Sequence, residues 1–179
     1  MGITITEALA EIKTISKRIE KKRDFILTYL ARQDGIKDPL EKEGGSLKAI
    51  ERERQAINDL QTRAVTLRRG IQKANEVANV TLNGVTRTIA DWLVWRRDVA
   101  PGHRELLNRL RSQINQVREQ AKRNGATVLP SGGTAQNVTD VIVHINENDL
   151  ATEIETLEDT LGQLDGQLSL KNATVPIVE

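Results

Sequence analysis

"INDLQTRAVTLRRGIQKA", residues 57–74, decides the fold. Ile57, Ala64 and Ile71 recur every seven residues, and Leu60, Leu67 and Ala74 do the same three residues later. An apolar three-four alternation is the signature of a helix that packs along one seam against another helix. Working outward, Ser46 is expected to cap this helix and Ala78 to lie near its end, which at 1.5 Å per residue makes it about 50 Å long. A compact domain of this size has a radius of gyration of about 16 Å. The expectation is therefore one elongated helical domain over residues 1–179.

Composition agrees with that reading. The chain is 38% hydrophobic and 28% charged, with one Phe, one Tyr, two Trp and no Cys. The core must come from Leu, Ile, Val and Ala, and disulfides and thiolate metal sites are excluded. No apolar run approaches the ~18 residues of a membrane span, and no signal segment is apparent, so a soluble, unprocessed chain is expected. The net charge of +1 conceals an asymmetry: residues 146–179 hold eight acids against Lys171 alone. The simplest consequence is an acidic C-terminal helix lying against basic helices of its own or a neighbouring chain.

The other elements follow from local signals. Residues 1–6, "MGITIT", alternate as a short extended arm, with Thr6 as the expected cap of a helix to about Ala31. Its apolar positions Ile12, Ile15, Ile19, Ile26 and Tyr29 are interrupted by Lys22. Residues 32–46 are rich in breakers and read as a loop. "NVTLNGVTRT", 79–88, alternates around Asn83-Gly84, the pair suited to a tight hairpin turn. Thr88 and Asp91 resemble a capping box, opening a third helix to about Asn124, before Gly125. Pro101 falls inside it, so a kink or break near Ala100 is expected. "GATVLPSGGTAQN", 125–137, reads as a loop and "VTDVIVHI", 138–145, as a strand. A fourth helix, from about Asp149 to Lys171, has the seam Leu150, Ile154, Leu157, Leu161, Leu164 and Leu168, and residues 172–179 leave as an extended tail. The predicted fold class is all-α dominated: an elongated antiparallel four-helix bundle or coiled coil with a small hairpin and one short strand.

Signals for chemistry are sparse. His103 and His144 lie about forty residues apart on different elements, and neither belongs to a zinc-protease or hydrolase motif. "PSGGTA", 130–135, lacks the Lys-Ser/Thr ending of a phosphate loop. The basic run "SKRIEKKR", 16–23, and Arg96, Arg97, Arg104, Arg109 and Arg111 are interleaved with acids and have no alternating aromatic residues for base stacking. "MGITIT" fits the loose myristoylation pattern, and Asn79, Asn137 and Asn172 head Asn-X-Thr triplets without a secretion signal. No catalytic, cofactor-binding or metal-ligating residues are assigned, and nucleic acid, membrane and small-molecule substrates are not the expected partners.

The tryptophans are the outstanding feature. Carrying the seam of Leu107, Leu110, Ile114 and Val117 backward puts Ile89, Leu93 and Ala100 on it and leaves a second apolar strip of Trp92, Trp95, Val99 and Leu106. A strip of that size needs a partner. The chain's own hairpin and another subunit both qualify, since Trp and Arg favour interface centres. Ile3, Ile5, Val175, Ile177 and Val178, on the two extended ends, complete the expected interface by adding strands to neighbouring subunits.

The segments "TITEALAEIKTISKRIEKKR" (4–23), "KANEVANVTLNGVTRTIADWLVWRRD" (73–98) and "HINENDLATEIETLEDTLGQLDGQLSLKNAT" (144–174), in this order, resemble the helical bacterial proteins labelled septicolysin. That resemblance implies pore formation and carries over no mechanistic residues. By type, the chain looks like accessory structural proteins of tailed bacteriophages, such as head decoration, connector or collar components. The leading expectation is an oligomeric, non-enzymatic assembly protein. A membrane-active helical protein and a basic coiled-coil adaptor for nucleic acid are the alternatives.

Overall fold

A computed structural model describes residues 2–130 and 132–177. The chain is about 70% helical, with two small two-stranded sheets. It forms two compact units, one of residues 1–78 and 169–179, the other of residues 79–168.

The first unit is built on α1 (Ile5–Thr28) and α2 (Ser46–Val77). Helix α1 begins earlier than expected, because Thr4 and not Thr6 is its cap. The Glu7 N–H donates to Thr4 Oγ1 at 3.3 Å, and the Thr4 N–H donates to Glu7 Oε2 at 2.7 Å. This reciprocal box requires Glu three residues after the cap, which Thr4 has and Thr6 lacks. The cap of α2 also differs: Gly45 precedes the helix, and Asp38 accepts the Ser46 N–H (2.8 Å) and hydroxyl (2.6 Å). Its carboxyl is held below the usual range by those bonds to Ser46 and by the Leu40 N–H.

The seam of this unit buries Ile5, Ala8, Ile12 and Ile15 of α1 against Leu67 and Ala74 of α2, with Leu60, Ala64 and Ile71 partly covered. Two cross-helix ion pairs set an antiparallel alignment: Glu11 with Arg63 through Arg63 Nε at 2.8 Å, and Lys22 with Glu53 at 2.6 Å. Lys22, the interruption in the apolar pattern, thus meets Glu53, which stands seven residues before Leu60 on the same α2 stripe. The two half-buried charges disfavour any slipped pairing that would face either with an apolar side chain.

The ends of the chain close this unit. The Ile177 N–H donates to Ile3 O (2.8 Å), the Ile5 N–H to Val175 O (3.1 Å), and Thr4 and Pro176 form an antiparallel bridge. The extended arm is shorter than the expected 1–6, and the tail starts at Val175 because the last helix runs to Thr174.

The second unit contains the hairpin β1 (Asn79–Leu82) and β2 (Val85–Thr88), paired with Leu82 opposite Val85. Asn83 and Gly84 at its turn have φ of 48° and 78°, the left-handed values that Asn-Gly adopts most readily. Helix α3 (Ile89–Val94), capped by Thr88, continues through a wider turn at Trp95–Val99 into α4 (Ala100–Arg123). The chain stays helical through Pro101, and the irregularity expected near Ala100 takes the form of this wider turn rather than a break. The missing proline N–H is accommodated because the preceding turn lengthens its hydrogen bonds by one residue, with the Ala100 N–H reaching Trp95 O.

Part of the expected loop after Gly125 is a strand: β3 (Val128–Pro130) pairs in parallel with β4 (Val141–Val143). Asp140 ties down the connection by accepting N–H bonds from Asn137 (2.9 Å), Gln136 (3.0 Å) and Thr127 (3.2 Å). Helix α5 (Glu147–Thr174) packs Leu150 and Leu157 against Ala100, Leu107 and Ile114 of α4.

Leu67 is fully buried whereas Val65 is exposed on the same helix. Leu67→Ala is expected to cost about 2–5 kcal/mol and Val65→Ala to stay within about 0.5 kcal/mol, measured by chemical denaturation. A second prediction concerns acid. The Asn137 and Thr127 N–H groups lower the Asp140 carboxyl as Ser46 lowers that of Asp38. Their stabilisation is therefore complete above the ordinary carboxylate value near pH 4 and disappears as the pH falls through the lowered folded values. The double variant Asp38→Asn, Asp140→Asn should show a shallower loss of stability below about pH 4 than the parent chain.

Candidate interaction surface

The hairpin, α3–α4 and the part of α5 in the second unit place the tryptophans. Trp92 is 4% exposed, and its indole N–H donates to Val80 O at 3.0 Å. Val80 and Leu82 of β1 are buried too. The Arg87 guanidinium of β2 lies 5.0 Å from the Trp92 ring centre, and Trp95 meets Trp92 edge-on at 5.4 Å. The hairpin turn is fastened to α5 by the Asn83 side-chain N–H on Thr160 Oγ1 at 2.9 Å. Trp92 is thus covered by the chain's own hairpin.

The predicted strip does not hold together. Trp95 is half-buried against the α4–α5 core, while Val99 and Leu106 are exposed. Leu93, expected on the seam, is 38% exposed. The reason is the wide turn. Buried Ala100, Leu107, Ile114 and Ala121 are spaced by seven, but the buried side chain one repeat before Ala100 is Trp92, eight residues back. The π-type turn inserts one residue and rotates everything before it by one position. Pro101, just beyond that turn, was the available signal.

Of the terminal candidates, Ile5 and Ile177 are buried and Ile3 and Val175 partly so, all in contact within the first unit. Their backbone groups bond to each other, as described for the clasp. Val178 lies outside the described residues.

Along α4 and α5 the basic and acidic side chains face one another, as the charge asymmetry predicts for a helix of the same chain. Arg96 pairs with Asp165 at 2.7 Å, and Arg104 with Glu158. Arg118 pairs with Glu147, and His103 Nε2 lies 2.9 Å from Glu153 Oε1. These rungs flank the leucine seam and fix the antiparallel alignment. An open groove beside them is lined by Trp95, His103, Thr152, Glu153 and Thr156. The three hydroxyls of Thr152, Thr156 and Thr160 donate to the carbonyls four residues back, so their protons are already engaged. His144 is exposed just beyond β4.

Among the described residues, no group of three or more His, Asp or Glu side chains is placed to hold a metal ion, and no helix is long and apolar enough to cross a membrane. No protein family, curated protein or solved structure matches the chain.

Trp92→Phe removes the indole N–H that Val80 O accepts beside its hairpin partner and leaves space around the smaller ring, an expected loss of about 1–3 kcal/mol. Leu93→Ala should stay within about 0.5 kcal/mol. An uninterrupted seven-residue repeat would require the opposite ranking, so urea unfolding of the two variants tests the inserted residue directly.

Proposed function

We propose that this chain is a non-enzymatic structural protein of an oligomeric assembly, built as an antiparallel four-helix bundle. Its type is that of the accessory components of tailed-bacteriophage particles, such as head decoration, connector or collar proteins. It acts in a virus particle or the cytoplasm, and its partners are further copies of itself and other structural proteins. The observation that carries this reading is the use made of the reactive side chains. His103, Arg96, Arg104, Arg118 and Lys22 each align one helix against another. Charged side chains and one imidazole are given over to register, as suits a strut. Exposed apolar side chains such as Leu27, Leu30, Leu47, Val99 and Leu106 support association.

The test is absolute mass by size-exclusion chromatography with light scattering over a hundredfold concentration range. A defined multiple of the chain mass is the expected result. A single-chain mass at every concentration would overturn the self-assembly on which the reading rests.

A further inference from the structure

The β3–β4 ribbon is incomplete as a sheet. Parallel strands are ordinarily found in larger sheets with both faces covered, and a pair alone leaves two open edges. The two edges here are not equivalent. The Val141 N–H donates to Thr127 O at 2.9 Å, and Val141 stands opposite Val128. In a parallel ladder the bonding residues alternate, so Val141 and Val143 face β3, and the N–H and C=O of Ile142 point away from it. On β3 the outward positions are Val128 and Pro130; Pro130 has no N–H, and its carbonyl already accepts the Gly133 N–H at 2.9 Å. The β3 edge is therefore closed at its proline end. The β4 edge, in "DVIVH" (140–144), carries neither Pro nor Lys to protect it; the Asp140 N–H already donates to Asn137 O at 3.1 Å, so the open groups begin at Ile142.

Its side chains divide the same way. Val143 and, beyond it, Ile145 pack on the α4–α5 core, whereas Ile142 and His144 are exposed. The edge is also complementary to itself. Two antiparallel copies can be centred on any of residues 140–144, on a bonded or a non-bonded pair; centring on 141 sets Asp140 against Ile142, and centring on 143 sets Ile142 against His144. Centring on position 140 sets Asp against Asp, and centring on 144 sets His against His. Centring on 142 sets Ile142 against Ile142, an apolar β-branched pair, and places His144 opposite Asp140 twice. The Asp140 carboxylate is held in place by three backbone N–H groups, so it offers a fixed acceptor to the facing imidazole.

We propose that the β4 edge binds the β4 edge of a second copy across a twofold axis through Ile142, giving a four-stranded sheet in the order β3-β4-β4-β3. This rests on the oligomeric reading above and names its contact. A closed twofold interface of this kind removes both exposed edges at once.

Three measurements test it together. The parent chain should show an even multiple of the single-chain mass, and Ile142→Lys, a change at an exposed position, should halve that mass while keeping the helical content. Because the chain has no cysteine, Ile142→Cys should form a disulfide-linked dimer under mild oxidation. Val138→Cys, in the exposed turn that precedes β4 and outside the paired strand, should remain largely unlinked. If the parent is oligomeric but Ile142→Lys leaves its mass unchanged, or if the two cysteine variants link equally fast, the β4 contact is wrong and the assembly reading survives. A parent chain that is always single overturns both.

Discussion

A helix that reaches five residues back for its hydrogen bonds during one turn rotates all earlier side chains by one position relative to all later ones, about 100°. In this protein that turn is Trp95–Val99, and the second unit depends on it. Downstream, α4 presents Ala100, Leu107 and Ile114 to the leucines of α5. Upstream, α3 presents Ile89 and Trp92, and the hairpin closes over the indole. With an uninterrupted helix, Leu93 would take the place of Trp92, and Val80 O would lose the indole N–H it accepts. One inserted residue lets a single continuous helix serve two differently oriented packing surfaces, and it supplies slack beside a proline that has no hydrogen to give.

Charge acts in both units as an alignment device. A seam of Ile, Leu and Ala is nearly indifferent to a slip of one heptad, because the apolar stripe repeats itself. Lys22–Glu53 and Glu11–Arg63 in one unit, and the Arg and His rungs along α4–α5 in the other, remove that indifference. Most are exposed, and exposed pairs contribute little to stability. Their effect lies in distinguishing one pairing from its neighbours. The formal charge of +1 thus conceals a patterned surface on which several opposite charges meet from helix to helix.

Much of this was legible in the sequence, and the reasons are local. The Asn83-Gly84 turn, the heptads of α2 and α5, Gly125 after α4 and the Thr88 cap each follow from short-range sterics or periodicity. So did the pairing of the acidic helix with a basic one. What failed was whatever depended on counting through an irregularity or on partners distant in sequence. The seven-residue register was carried through Pro101 as if no residue had been inserted, which exchanged Leu93 for Trp92. The box between Thr4 and Glu7 was readable, but the alternation of "MGITIT" favoured an arm extending to Thr6. The strand at Val128–Pro130 has three residues, ends in proline and acquires its meaning from Val141–Val143. The extended ends read as offers to neighbouring subunits, yet they bond to each other, a pairing across more than 170 residues that no local pattern announces.

That clasp has a consequence for how the chain comes together. The first unit is discontinuous: α1 and α2 occupy its beginning, and its closing piece is residues 169–179. During synthesis from the N-terminus, α1 and α2 emerge and pair while Ile5 still lacks its cover, and the complete second unit is translated before Val175 and Ile177 arrive. The ordering of that last segment closes the longest loop in the molecule, a step whose entropic cost grows only slowly with loop length. The newborn chain therefore passes through a stage in which one unit can be finished while the other is still open at the position of its first buried isoleucine.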